Sequence, residues 1–239
     1  MSGHSKWSTI KRQKGAADAK RGQAFTKLSN AITVAVKAGG GITDLNSNFK
    51  LRLAVDRARA VNMPKENIER AIERAKGMDA ADVQEFLYEG FGPGGVALMI
   101  EAVTDNKQRS FSTIKNIVEK NGGTLGSSGS VSYLFVRRGE IVVKKNGESA
   151  DDILNKAIEA GVSDMEEADE EVIFYVEPQS LEATRQELVR LGFQIESAEL
   201  TYSASTFVAG DEDVQSRVAS LVEKLEEIDD VQQVYSNLE

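Results

Sequence analysis

The first third of the chain alternates hydrophobic and polar positions with the period of an α-helix. Apolar side chains recur every three or four residues from about Ala17 to the glycines at 39–41, again over 47–60, and again between Pro64 and Gly77. This spacing gives each helix one stripe to bury, proline suits the first turn of a helix, and glycine suits its end. We therefore predict a three-helix domain, in which the buried positions of the second helix are Leu51, Ala54, Val55, Ala58 and Val61.

The spacing of hydrophobic residues changes after residue 82. The sequences EFLYEGF at 85–91 and VALMIEAV at 96–103 predict strands, 107–121 predicts a helix, and VSYLFV at 131–136 and EIVVKK at 140–145 predict two further strands. An amphipathic helix, a turn and a short apolar strand then recur along the remaining chain. Such units are typical of split βαβ, ferredoxin-like domains. The sequence therefore predicts an α+β protein.

The composition narrows the possible chemistry. The chain has 239 residues, a formal net charge of −9, no cysteine and one histidine, His4. Disulfides, cysteine-ligated zinc and thiol nucleophiles are therefore excluded, and one histidine cannot build a His-based metal site. We predict no catalytic residue, metal or cofactor, although a lysine or carboxylate mechanism stays open as a third class of function. The longest apolar run, VALMI at 96–100, is far too short to span a membrane, and we expect a cytoplasmic protein.

Charge is distributed unevenly along the chain. Residues 1–77 contain 16 Lys or Arg against 6 Asp or Glu, whereas residues 78–239 contain 13 against 32. Residues 1–16 show no apolar period, so the basic excess is concentrated where packing potential is least. Such asymmetry points to nucleic acid or another polyanion at one end. The predicted contacts are Lys6, Trp7, Lys11, Arg12, Lys14, Lys20, Arg21 and Lys27, with Trp7 either stacking on a base or packing on the helices.

Other stretches carry weaker signals. GFGPGG at 90–95 has dinucleotide-fingerprint spacing, but a strand follows it, so we interpret it as a turn between strands. GGTLGSSGS at 122–130 reads as a loop whose backbone amides could meet a phosphate. Lys107 and Arg109, in the first turn of a helix, are possible secondary anion contacts. The acidic cluster at 163–172 is read as a solvated turn, or as a face for a basic protein partner.

Several motifs together resemble one family. GHSKW at 3–7, DAKRGQAFTKL at 18–28, LRLAVDRARAVNMPKENIERAI and YEGFGPGGVALMIEAVTDN are similar to the YebC/PmpR family, which includes a mitochondrial translational activator of cytochrome c oxidase subunit one. The resemblance implies a helical domain and two α+β domains, one inserted in the other. We expect these at residues 1–77, at 78–136 together with 203–239, and at 137–202, with GMDAAD at 77–82 as a linker.

The resemblance also implies functions that the residues leave open. Bacterial members are described as probable DNA-binding transcriptional regulators, whereas the mitochondrial member and some bacterial ones are linked to translation and the ribosome. Both need a surface for nucleic acid, and we expect a non-catalytic regulator that binds DNA or RNA. The rival class is a protein-interaction module that acts through its acidic domains. We expect a monomer.

Overall fold

The computed structural model describes residues 18–76, 83–168 and 170–239, with only the backbone described at 18–21. Residues 1–17, the basic arm of the chain, and the predicted linker at 77–82 lie outside these ranges. The helices are α1 (Asp18–Ala38), α2 (Phe49–Ala60), α3 (Lys65–Lys76), α4 (Lys107–Lys120), α5 (Ala150–Ile158), α6 (Leu181–Arg190) and α7 (Glu212–Glu226). The strands are β1 (Gln84–Phe91), β2 (Ala97–Thr104), β3 (Thr124–Leu125), β4 (Phe135–Lys144), β5 (Asp164–Glu167), β6 (Glu171–Val176), β7 (Ile195–Ala204) and β8 (Val231–Ser236).

The three predicted N-terminal helices are confirmed as α1, α2 and α3. They pack around one apolar core, in which the stripes read from the sequence meet. Its fully or nearly buried members include Leu28, Ile32, Leu51, Val55, Ala58, Ile68, Ala71 and Ala75. The expectation that Val61 is buried is wrong: its side chain is 41% exposed because α2 ends one residue before it.

Asn48 fixes the start of α2 and joins it to α1. Its Oδ1 accepts from the backbone N–H of Leu51 at 3.0 Å, which is the N-cap bond. Its Nδ2 donates to the carbonyl oxygens of Ala35 at 3.0 Å and Ile42 at 2.9 Å. One buried amide therefore satisfies the end of one helix and the beginning of the next.

The first sheet has the antiparallel strand order β3-β1-β2-β8. Helices α4 and α7 cover one of its faces, where Ile114 and Leu221 pack against Leu98 and Ile100 of β2. Strand β1 lies between β2 and β3, so β2, α4 and β3 form a split βαβ unit. On the other face, Val34 of α1 packs with β2, which holds the helical domain and this sheet in one compact unit.

The second sheet has the order β5-β6-β4-β7 and belongs to a separate compact unit, residues 136–203. Its chain order β4-α5-β5-β6-α6-β7 gives the ferredoxin-like arrangement. All of its strands lie in the chain between β3 and β8 of the first sheet. The predicted α+β fold, with one sheet inserted in the other, is confirmed. The domain boundaries stay a prediction.

The strands expected at 131–136 and 140–145 are wrong in their bounds. Ser132–Leu134 forms a helical turn, and one strand, β4, runs without interruption from Phe135 to Lys144. Gly139 does not break it. A Cβ at this glycine would lie 2.6 Å from Val176 Cγ2 and 3.0 Å from Leu181 Cβ, so glycine allows the close approach of β6 and α6.

Candidate nucleic-acid interface

Helix α3 places two arginines on one flank. Its apolar positions Ile68, Ala71 and Ala75 face the core. Because successive residues turn by about 100° around a helix, Arg70 and Arg74 stand one turn apart on the side of α3 that borders α1. The lysines at the two ends of the helix fall on the opposite flank.

A groove with a volume of about 310 Å³ separates α1 from α3. Its lining combines apolar, polar and cationic side chains. The apolar members include Met63 and Ala71, which are 5% and 4% exposed and form its base. The complete lining is Phe25, Thr26, Ser29, Met63, Asn67, Arg70, Ala71 and Arg74. The groove therefore offers an apolar surface next to two positive charges.

The two groove arginines differ from the other cations of α3 in their partners. Lys65 pairs with Glu69 at 3.5 Å, and Lys76 pairs with Glu73 at 2.6 Å. Among the residues whose side chains the structure describes, neither Arg70 nor Arg74 forms a salt bridge. Arg74 Nη2 donates to two neutral groups, Thr33 Oγ1 at 3.4 Å and Asn30 Oδ1 at 3.5 Å. Among the described side chains, no carboxylate therefore neutralises either guanidinium charge.

The predicted contacts of the arm fall mostly outside the described residues. Lys6, Trp7, Lys11, Arg12 and Lys14 precede α1. Lys20 and Arg21 lie in the first turn of α1, where only the backbone is described.

Lys27, which was predicted to contact nucleic acid, bonds another part of the protein. Its Nζ donates to the carbonyl oxygen of Glu226, and Gln23 Nε2 donates to the carbonyl oxygen of Glu227. These carbonyls belong to the C-terminal end of α7, which is the negative pole of the helix dipole. Lys27 therefore attaches the helical domain to α7.

The secondary pair, Lys107 and Arg109, also has internal partners. Asn106 caps α4, with its Oδ1 accepting from the Arg109 N–H at 3.0 Å. The Arg109 guanidinium bonds Asp105 at 2.7 Å and Asp230 at 3.3 Å, and these carboxylates raise its pKa. Lys107 Nζ lies 5.2 Å from the centre of the Phe86 ring. A site for an external anion here would compete with two carboxylates.

The last part of the glycine-rich loop at 122–130 and the residues that follow it donate to an internal anion. Glu89, only 4% exposed, accepts from the backbone N–H groups of Gly129, Val131 and Ser132, each at 2.8 Å. Burial alone would raise the pKa of the Glu89 carboxyl, but the three backbone bonds, together with the Ser132 side chain, outweigh it and hold that pKa below its ordinary value. Within 122–130, the Gly129 N–H is therefore taken by the Glu89 carboxylate and the Gly126 N–H by the Glu89 carbonyl oxygen at 2.8 Å, so neither is free for a phosphate.

The remaining motifs are structural in the described chain. In GFGPGG, Gly90 and Phe91 end β1 and the last four residues form the turn to β2, with Gly94 at φ 71° and Gly95 at φ 75°. The acidic stretch at 163–172 forms most of the β5–β6 hairpin. Within 18–76, 83–168 and 170–239, no group of His, Asp and Glu side chains is arranged to hold a metal ion. The helices described there include none with the length and apolar character of a membrane span.

Sequence reasoning missed Arg70 and Arg74. The repeat in IERAIERAK predicts an apolar stripe, and the same spacing aligns the two arginines. What the spacing could not show is which of the α3 cations have acidic partners, because most of these charges look equivalent in one dimension.

Comparisons with known proteins agree with this architecture. A protein from Roseiflexus castenholzii called a probable transcriptional regulatory protein is 48% identical, covering 100% of this chain and 95% of its own length. A protein of the same description from Treponema denticola is 47% identical over 100% of this chain and 96% of its own. The crystal structure of a conserved hypothetical protein from Aquifex aeolicus has a TM-score of 0.89 at 42% identity, covering 98% of this chain and 97% of that one.

Two family models account for nearly the whole chain. Residues 5–78 match the TACO1/YebC protein N-terminal domain, and residues 83–238 match the TACO1/YebC second and third domain. The first match contains the basic arm and the α1–α3 groove, and the second contains both sheets. The protein belongs to the TACO1/YebC family.

Proposed function

We propose that this protein is a cytoplasmic, non-catalytic regulator of gene expression that binds nucleic acid with its N-terminal domain. The observation that carries the proposal is the pair Arg70 and Arg74, two guanidinium groups on one flank of α3 with no salt bridge among the described side chains. Arginine is suited to phosphate because its planar fork can bond two oxygens at once. The basic arm adds four Lys or Arg residues before α1.

The names of the relatives favour transcription as the process that is regulated. DNA is therefore the first candidate target. Ribosomal RNA and control of translation form the second candidate, since phosphate contacts position a protein without reading a base sequence. Crosslinking in cells, followed by sequencing of the attached nucleic acid, distinguishes these targets. Promoter DNA supports the first, ribosomal RNA supports the second, and recovery of neither supports a protein-interaction module.

The absence of a catalytic role is proposed from composition and from the described site. The chain contains no cysteine and only one histidine, and the groove between α1 and α3 contains no carboxylate or histidine. The groove therefore lacks a carboxylate or histidine that could act as general base and activate the hydroxyl of Thr26 or Ser29. Turnover of RNA or nucleotides by the pure protein would contradict this part of the proposal.

A double variant tests whether the groove binds phosphate. Each phosphate that a protein neutralises contributes about −0.9 to the slope of log affinity against log salt on duplex, and about −0.7 on single strands. Arg70→Gln with Arg74→Gln should therefore make the slope shallower by about 1.8 or 1.4. The matched control is Lys65→Gln with Lys76→Gln, which removes the same charge from the opposite flank of the same helix. Equal effects of the two double variants would show that only net charge matters, and would refute the proposed interface.

A truncation tests the arm. Removing residues 1–17 deletes Lys6, Lys11, Arg12 and Lys14 and leaves α1 in place. If all four residues contact phosphates, the slope should become shallower by about 3.6 on duplex or 2.8 on single strands. The melting temperature should stay almost constant if Trp7 does not pack on the helices, because residues 1–16 show no apolar period and changes outside packed positions usually alter stability by less than about 0.5 kcal/mol. An unchanged slope would exclude the arm from the interface.

A further inference from the structure

We propose that the groove between α1 and α3 holds one unpaired nucleotide, with its base against Phe25 and its phosphate on Arg70 and Arg74. This inference rests on the proposed function and specifies its ligand as single-stranded nucleic acid. The groove places both kinds of surface that such a nucleotide needs within a single cavity.

The apolar part of the groove argues for a base. Phe25 is half-buried, packs against the core of the helical domain and lines the groove, while the core residues Met63 and Ala71 lie beneath it. Where the groove exposes this apolar surface beside two cations, it offers a base a contact that a purely electrostatic site would lack. Bases stack on aromatic side chains in proteins that bind single strands, because every base has a π-face.

The size of the groove argues for a single nucleotide. A volume of about 310 Å³ lies at the lower end of the approximately 300–1,000 Å³ that is usual for small-molecule sites. Proteins that read duplex DNA insert a protruding helix or ribbon into a groove about 12 Å wide. Here the apolar surface is recessed between two helices, and a base that is stacked and paired within a duplex cannot reach it.

Polar groups at the rim fit a base edge and a backbone. The Asn67 amide and the Ser29 hydroxyl line the groove, and each can both donate and accept hydrogen bonds. Arg70 and Arg74 stand beside them on α3. A nucleotide bound with its base inward would therefore present its phosphate to the two guanidinium groups.

The first experiment changes the ligand and leaves the full-length protein unaltered. Binding is measured for three ten-residue probes: oligo(dT), its duplex with oligo(dA), and an abasic strand with the same phosphates. Stacking is worth about 1–3 kcal/mol per base, so oligo(dT) should bind about 5- to 150-fold more tightly than the abasic strand. It should also bind more tightly than the duplex, and deca-glutamate should compete poorly. Equal binding of oligo(dT) and the abasic strand, or equal competition by deca-glutamate, would overturn the inference.

A second experiment assigns the base to Phe25. Phe25→Leu keeps an apolar side chain but removes the ring, and Phe111→Leu removes an exposed ring of α4 as the control. The first variant should lose at least about 5-fold in affinity for oligo(dT) with an unchanged salt slope. Equal affinities of the two variants would overturn the assignment. If Phe25→Leu does not fold, shifts of the Met63 methyl signal in the natural protein on addition of oligo(dT), but not of duplex, provide the same test.

The outcomes separate this inference from the proposed function. A protein that binds neither single strands nor duplex contradicts the proposed function itself. A protein that binds both equally, with a salt slope that depends on Arg70 and Arg74, retains the proposed function and overturns only the unpaired nucleotide.

Discussion

Replacing Glu89 by glutamine tests whether an internal carboxylate holds residues 129–132, where the glycine-rich loop ends. Oε1 of Glu89 accepts from Gly129, and Oε2 accepts from Val131 and Ser132, each at 2.8 Å. A glutamine has one acceptor oxygen, so it can keep two of these bonds and must turn its NH₂ group toward the third N–H. The substitution therefore removes one bond and converts two charge-assisted bonds into neutral ones.

The expected cost follows from those three bonds. A hydrogen bond to a charged group contributes about 1.5–3 kcal/mol, whereas a neutral one contributes about 0.5–1.5 kcal/mol. Losing one and weakening two gives about 3 kcal/mol or more. This corresponds to a rise of roughly a hundredfold in the opening of the loop.

Hydrogen exchange measured by NMR reports this opening directly. The amides of Gly129, Val131 and Ser132 should exchange roughly a hundredfold faster in Glu89→Gln, provided that they exchange through local opening. Glu85→Gln is the control, because Glu85 is an exposed carboxylate on the same strand. Unchanged protection of the three amides in Glu89→Gln would refute the reasoning, since it would show that the loop is held by other contacts.

The same carboxylate predicts a dependence on pH. The pKa of Glu89 is lower in the folded protein than its ordinary value, so ionised Glu89 stabilises the fold. This stabilisation is complete above about pH 4.3, the ordinary glutamate value, and is lost as the pH falls through the lower folded-state value. Protection of the loop amides should fall over that window in the natural protein, and Glu89→Gln should lack this part of the dependence. A loss of protection only well above pH 5 would contradict the sign of the effect.

Three further substitutions test the packing that positions the interface. Gly94→Ala should lower the melting temperature more than Gly95→Ala. Both glycines have positive φ, but only a Cβ at Gly94 would meet Val214, at 2.8 Å, which adds about 1–3 kcal/mol to the loss of stability. Equal losses in the two variants would contradict this. Asn48→Ala removes three hydrogen bonds and should cost about 2–4 kcal/mol in denaturant unfolding of the helical domain, and a cost below 1 kcal/mol would oppose it. Lys27→Met should lower the melting temperature and leave the salt slope of nucleic-acid binding unchanged, because its Nζ bonds the end of α7; a shallower slope would instead return Lys27 to the interface.

The sequence by itself determined the helices, the fold class and the division of the chain into a basic N-terminal third and an acidic remainder. Helical stripes such as Ile68, Ala71 and Ala75 are legible because each is set by the local period of one element. Local signals misled where a neighbour distant in the chain decides the geometry. Position 139 within β4 is a glycine because β6 and α6 come too close for a side chain there. The sequence around residue 139 contains no sign of this approach, so the glycine looks like a break between two strands.

Only the tertiary structure decided which polar groups are already occupied. The partners of Glu89 follow it by 40 or more residues, and Lys27 bonds a carbonyl 199 residues away. Arg109 bonds Asp230, which lies 121 residues further along the chain, whereas Arg70 lines a groove. A charge is visible in the sequence, but its availability depends on which other charges folding brings within a few ångströms, since electrostatic interaction falls with distance in space and not along the chain.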